Sequence, residues 1–486
     1  MPLDLRHLID HWPAFLVLLD LVLASWVTLD AVLRKRDTRA VIAWVGLAWL
    51  APFVGALAYY LLGINRLRTR CVELRVSEGW EGRGELALTS EEERRVLEFS
   101  DLHPQLIGQA YLGRALAKRP ILPGNTVRIL RDGDQAYPAM LEAIGSALHT
   151  VTLLSFIFDS DRAGDAFFDA LCAAHARGVE VRVLIDDVGS RYSKTNMVGR
   201  LREAGLPAAA FLPTRTPVLL GYANLRNHRK LLVVDGEVGF TGGTNIREGH
   251  WLTLDPKFPV ACLHFRFVGP VVRDLQEAFA IDWAFATGES LAGEQWFPSL
   301  ERIGDAWCRG IQHGPDENFE TMSYTLMGAV SAARERIRIV TPYFLPDSAM
   351  LQTLQVAAMR GVEVEIVLPS RVNIRLVEWA AQANYESLLE RGCRIFLTPP
   401  PFDHTKLLIV DGAWSLVGST NWDPRSLRLN FEFNVECYHE GLARQLDVLI
   451  EDKQKVSREI QLSNIRSWSL ARRLRNGLAR LFSPYL

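Results

Sequence analysis

Two stretches of the chain, NHRKLLVVDGEVGFTGGTNI at 227–246 and DHTKLLIVDGAWSLVGSTNW at 403–422, spell the same pattern twice. Each begins with His-x-Lys-x4-Asp and ends in a glycine-rich turn followed by Thr-Asn. The first copy contributes His228, Lys230, Asp235, Gly243 and Asn245, and the second His404, Lys406, Asp411, Ser419 and Asn421. Residues two apart on a strand point to the same face, so each copy presents an imidazole and an ammonium together. The apolar runs LLVV and LLIV continue as buried strands. Asp235 and Asp411 each precede a glycine, the sequence of a tight turn. They are counted with the catalytic six but read as turn residues before direct participants.

The similarity extends upstream. RGVEV occurs at 177–181 and again at 360–364, each time after an apolar-periodic helix (DAFFDALCAAHA, AMLQTLQVAAM) and at the start of a β-branched strand. Gly178 and Gly361 suit helix C-terminal caps. A further strand, TVTLLSFIFDSD at 150–161, matches RIRIVTPYFLPD at 336–347. Strand, helix, strand order within each copy predicts an α/β fold with parallel or mixed sheets. The expected body is two similar α/β domains, 121–290 and 300–460, packed face to face about a pseudo-twofold axis that joins the two motifs, with 71–120 as a linker.

This residue set fits phosphodiester chemistry. Lys230, Lys406, Asn245, Asn421 and the backbone N–H groups of the Gly243 and Ser419 turns would bind phosphate and its added transition-state charge. Histidine titrates near neutrality. One neutral imidazole can attack phosphorus while the other, protonated, supplies the leaving alkoxide with its proton. No metal or cofactor is expected, because no metal-ligand spacing occurs.

The 486 residues carry 54 basic and 56 acidic groups, a formal charge of −2 that argues against a dedicated nucleic-acid binder. Six scattered cysteines lack any C-x-x-C pair and read as buried thiols. Residues 1–70 form a membrane anchor with two apolar segments, 12–33 and 40–64. The second, AVIAWVGLAWLAPFVGALAYYLLGI, has no charge over 25 residues, enough to span a bilayer. In the first, Asp20 needs a partner in hydrocarbon. Arginines after each segment leave orientation divided between the two sides, with a cytoplasmic catalytic body favoured. At the other end, 463–486 has five arginines, no acid and leucines at helical spacing, predicting a basic amphipathic helix on anionic lipid; docking on the body with a solvated arginine face is the alternative. Residues 251–259, absent from the second copy, read as a surface insertion or a lid.

The paired motifs resemble those of the phospholipase D superfamily, and the chain is more closely similar to its bacterial cardiolipin synthases. RDTRAVIAWVGLAWLAPFVGALAYYLLG at 36–63, IRIVTPYFLPD, GSTNWDPRSLRLNFEFN at 418–434 and the GP-x3-DL-x3-F-x2-DW run from Gly269 to Trp283 all resemble that family. The resemblance implies a multi-pass protein of the bacterial inner membrane acting on phosphatidylglycerol to give cardiolipin and glycerol. It implies His228 as nucleophile and His404 as acid/base; spacing alone leaves those roles interchangeable. It also places Glu432 as the carboxylate supporting a histidine in the second half, whereas Cys262 stands where the first half would carry the matching acid. The same residues would serve hydrolysis or transfer to another alcohol. A nucleic-acid phosphodiesterase and a non-catalytic scaffold are the remaining readings, opposed by the neutral charge and the intact motifs.

Overall fold

The computed structural model describes residues 12–35, 38–60, 103–192, 195–213, 225–315, 318 and 320–483. The chain divides into two units, Met1–Arg70 and Cys71–Leu486.

In the first unit, the helix Trp12–Arg34 has 23 residues, about 34 Å at 1.5 Å per residue, long enough to cross the hydrocarbon of a bilayer. It exposes Leu18, Leu29 and Leu33, so it is not a buried core helix. The expected second segment is not one continuous helix. Thr38–Leu50 stops at Ala51, and a new helix, Pro52–Ala58, begins at the proline. Proline lacks an N–H and disfavours helical geometry in the residue before it; Ala51 accordingly sits at φ −147°. The chain turns back there, so that a Cβ on Gly55 would lie 2.7 Å from the Leu47 carbonyl oxygen. Residues 61–64 lie outside the described residues. Asp30 receives a hydrogen bond from the Tyr59 hydroxyl (2.8 Å) and pairs with Arg34 (2.9 Å). Asp20 Oδ1 is buried without a hydrogen bond among the described residues.

Among its described residues, the second unit is built on eighteen strands. The first half supplies β1 (Leu122–Arg131), β2 (Thr150–Ser155), β3 (Glu180–Asp186), β4 (Ala208–Phe211), β5 (Arg226–Asn227), β6 (Leu231–Val234), β7 (Val238–Gly242), β8 (Val260–Ala261) and β9 (Leu263–Val268). The second half supplies β10 (Ala306–His313), β11 (Arg336–Val340), β12 (Glu363–Pro369), β13 (Arg394–Thr398), β14 (Phe402–Asp403), β15 (Leu407–Val410), β16 (Trp414–Gly418), β17 (Asn430–Tyr438) and β18 (Arg458–Glu459). In the first half the order is β1-β9-β7-β6-β2-β3-β4, and the second repeats it as β10-β17-β16-β15-β11-β12-β13, with β18 added at the edge. The duplication read from sequence is thus a duplication of topology, with β2-β3-β4 and β11-β12-β13 parallel and the other neighbours along this sheet order antiparallel.

The halves do not simply pack face to face. β1 and β10 pair antiparallel, joining both halves into one continuous sheet. Helices cover both of its faces. Val151 and Leu153 of β2 enter the first-half core, while Thr152, on the opposite face, donates to Gln276 of the helix Val272–Thr287 (2.8 Å). In the second half Arg338 of β11 faces the helix Glu440–Lys455, meeting Asp447 (2.9 Å) as well as Glu365 (2.9 Å).

Residues just before β1 are more than a linker. The helix Ile107–Ala117 packs on Thr321–Ala332, and Leu106 and Ala110 enter the second-half core. A first-half segment therefore completes the second-half core. Gly113 makes room for the buried Arg309 guanidinium, which pairs with Glu436. The described cysteines are free thiols; on paired strands the Cys308 thiol donates to Cys437 Sγ (3.6 Å) without forming a disulfide. The 251–259 loop is tied at its start, where Leu252 and Thr253 N–H groups donate to Asp134 (2.9 and 2.8 Å).

Candidate active site

Each histidine follows a two-residue strand that crosses to the other half. β5 pairs with Asn430 and Phe431 of β17, and β14 pairs with β8. The His228 N–H donates to the Phe431 carbonyl (2.9 Å) and the His404 N–H to the Ala261 carbonyl (2.7 Å). These reciprocal bonds are the pseudo-twofold relation expressed in hydrogen bonds. They also align Glu432 with Cys262, the position where the family resemblance implied a matching acid.

The two imidazoles stand 6.4 Å apart between ring centroids, nearly perpendicular at 84°, and both are buried. His228 Nδ1 donates to Glu432, 3.0 Å from each carboxylate oxygen. His404 Nδ1 donates to the Gly243 carbonyl (3.0 Å). A carbonyl and a carboxylate can only accept, so both rings carry their proton on Nδ1 and keep the Nε2 lone pair free. The halves differ in what holds the ring: a charged carboxylate for His228, a backbone dipole for His404.

Lys230 and Lys406 repeat each other. Each Nζ donates to the carbonyl of its own motif histidine, at 2.6 and 2.7 Å. Burial draws their ammonium groups down, Lys230 to about 7 and Lys406 to about 8. Burial likewise draws His228 down to about 4, against the pull of Glu432, and His404 well below the ordinary imidazole range. Burial acts to raise Glu432, yet His228 and Lys230 hold it below the usual carboxylate range. A cluster of buried nitrogens around a single carboxylate favours an anion, whose charge would reverse these depressions.

Asp235 and Asp411 do not face the imidazoles. Asp235 accepts from the N–H groups of Leu148, His149 and Thr150 at 2.7–2.9 Å. Asp411 accepts from those of Arg334, Glu335 and Arg336 at 2.8–2.9 Å. Both take left-handed backbone at the turn (φ 52° and 50°). They fasten the start of the neighbouring strand, so their role is architectural. The Gly243 and Ser419 N–H groups are also committed, to the carbonyls of Leu263 and Phe433 (both 3.1 Å). They are therefore not the phosphate donors expected from sequence. Gly243 acts through its carbonyl on His404 instead. A Cβ there would lie 2.5 Å from Cys262 Sγ and 2.8 Å from the His404 carbonyl oxygen. Asn245 and Asn421 are buried beside the site; Asn245 Oδ1 accepts from Ile157 N–H (3.4 Å), and Asn421 Nδ2 donates to Ser426 (3.1 Å).

Two histidines went unnoticed in the sequence. The His250 ring lies 6.1 Å from that of His404, buried, with Nδ1 unpaired among the described residues. His264, opposite Gly242, is buried with neither ring nitrogen hydrogen-bonded among the described residues. Its counterpart opposite Gly418 is Asn434, which donates to Thr420 (2.6 Å). A polar residue at an inward strand position in both halves was the available signal for His264; none marked His250, whose positional counterpart is Ser426.

Comparison with known proteins agrees with the duplicated fold. The family model described as "Cardiolipin synthase, PLD-like domain" matches residues 140–256 and 326–453, one copy in each half. A second, "Phospholipase_D-nuclease N-terminal", matches residues 22–63. The chain is 30% identical over 463 residues to a cardiolipin synthase of Staphylococcus aureus (strain Mu50 / ATCC 700699), covering 93% of each protein. It is 31% identical over 458 residues to cardiolipin synthase 2 of Bacillus anthracis, covering 93% of this chain and 88% of that one. Among solved structures, phosphatidylserine synthase of Haemophilus influenzae Rd KW20 superposes with a TM-score of 0.62 at 13% identity, over 78% of this chain and all of that one, a likeness of fold. The chain belongs to the cardiolipin synthase family of phosphatidyltransferases, built from two phospholipase D-like domains behind an N-terminal apolar helix.

Proposed function

We propose that the chain transfers a phosphatidyl group from one phosphatidylglycerol to the glycerol hydroxyl of another, through a phosphohistidine on His228. The observation that carries this reading is the pair of Nδ1-anchored rings 6.4 Å apart. Reacting atoms meet at about 3–3.5 Å in a near-attack arrangement, so rings at this separation can bracket one phosphorus. His228 Nε2 attacks phosphorus, the bond from phosphorus to the glycerol oxygen breaks, and protonated His404 gives that oxygen its proton. Free glycerol departs. Neutral His404 then takes the hydroxyl proton of the second phosphatidylglycerol, whose oxygen displaces His228 and forms cardiolipin.

Glu432 favours His228 as nucleophile, because a phosphorylated imidazole bears positive charge that the adjoining carboxylate offsets. Lys230 and Lys406 each keep two N–H donors beyond the backbone bond they make, and Asn245 and Asn421 add neutral ones. His404 gains its proton when the phosphodiester enters, since the anion restores basicity to the buried ring. We place the catalytic body on the cytoplasmic side of a bacterial inner membrane, held by the N-terminal apolar segment.

The test is a product assay with purified full-length protein and phosphatidylglycerol vesicles. Cardiolipin and glycerol in equal amounts are expected. Phosphatidic acid without cardiolipin would replace this reading with hydrolysis.

A further inference from the structure

The C-terminal helix Leu470–Leu481 is docked the wrong way round for a helix of a globular body. Surface helices bury their apolar stripe and expose their polar one. Here Arg472, Arg475, Asn476 and Ala479 face inward. Arg472 stacks on Trp468 (3.8 Å) and Arg475 on Trp379 (4.6 Å), Asn476 is buried, and Ala479 packs with Leu345 and Ala380. The opposite side carries Leu470, Leu474, Leu478 and Leu481, with Phe482 just beyond, each 55–72% exposed. Exposed Arg473 and Arg480 flank this stripe, and no acidic residue lies between 463 and 486. The sequence suggested a lipid-facing helix or a docked one; the structure has it docked with its leucines outward.

The stripe belongs to the same end of the sheet as the histidines. Leu345, against which Ala479 packs, donates its N–H to Trp422, the residue after Asn421 (2.6 Å). Tyr343, two residues before Leu345, lies 6.5 Å from the His404 ring.

We propose that this leucine stripe inserts into the headgroup–acyl boundary of an anionic bilayer and seats the mouth of the active site on the plane that holds its lipid substrate. Apolar area and flanking arginines together match an anionic lipid surface; another protein would need an acidic rim around an apolar groove. The proposal rests on the phosphatidyltransferase reading for its purpose, but its first test, a fluorescence measurement, does not use turnover.

The experiment places an environment-sensitive nitrobenzoxadiazole label at Leu478→Cys in the full chain, with the labelled parent protein as background for the native cysteines. The protein is reconstituted in vesicles of phosphatidylcholine with phosphatidylglycerol. Blue-shifted emission, quenched by spin-labelled lipid, is expected. Emission as in water overturns the proposal, as does blue-shifted emission untouched by the lipid quencher, which would mean that protein covers the face. A second arm uses the double substitution Leu474→Glu with Leu478→Glu. The ratio of turnover on vesicle phosphatidylglycerol to turnover on a monomeric short-chain analogue is expected to fall roughly tenfold or more. An unchanged ratio counts against the proposal even if both rates drop.

Discussion

At the scale of single residues, the two halves of the site are matched in placement and unmatched in charge. Glu432 touches His228 through both oxygens, while its counterpart Cys262 leaves His404 to a backbone carbonyl. Glu432→Gln keeps an acceptor for Nδ1–H but removes the charge, and turnover is expected to fall roughly 10²-fold with little change in KM. The lysines set the pH response. Lys230 and Lys406, drawn by burial to about 7 and about 8, are charged below those values and lose charge as pH rises through them. Affinity for an anionic phosphodiester is therefore expected to weaken on the alkaline side, and kcat/KM to decline between pH 7 and 8, in a pH profile at fixed ionic strength. His228, drawn to about 4, stays neutral and nucleophilic across that range. Much of this was legible beforehand, because duplication singled out His228, Lys230, His404 and Lys406, and the family resemblance implied Glu432. The missed histidines have no histidine in the other half to announce them.

At the scale of elements, short crossing strands do the positioning. β5 and β14 are two residues each, and each delivers its histidine by pairing with the opposite half. Gly243 is where this packing is tightest. Gly243→Ala would press a methyl onto Cys262 Sγ and the His404 backbone, and turnover is expected to drop roughly 10²-fold through displacement of His404. Adding Cys262→Ala should recover part of the loss in a double-mutant cycle, since one of the two contacts is then relieved. Sequence could mark Gly243 as special but not say why: the turn motif suggested an anion cradle, while its N–H completes the sheet and its carbonyl orients a ring. Two other elements escaped sequence reading for similar reasons. Hydropathy cannot see that Ala51 and Pro52 fold an uncharged run back on itself, and helical periodicity cannot tell which face of 470–481 meets the body.

At the scale of the whole catalytic unit, the halves share a sheet, a core and a site. β1 joins β10, the helix Ile107–Ala117 fills the second-half core, and each histidine is hydrogen-bonded by the other half. Neither half is a complete enzyme on this account. Cleavage at a protease site inserted by Gly293, in the exposed 292–295 segment, is expected to leave activity in the associated fragments. Each fragment expressed alone should be inactive, and co-expression should restore turnover. The fold class and the pseudo-twofold plan could be read from the repeats. The continuous sheet could not, because strand pairing between halves depends on edges that no local pattern reports.

Two imidazoles acting on one phosphorus in unequal roles are the centre of the proposed mechanism. Its most direct test is to mix full-length His404→Ala with phosphatidylglycerol vesicles, quench in alkali to preserve phosphoramidates, and map the modified peptide by mass spectrometry. A phosphatidyl adduct on His228, released slowly for want of a base to activate the second alcohol, is the expected result. An adduct on another residue, or turnover equal to that of the unaltered protein, would contradict the account.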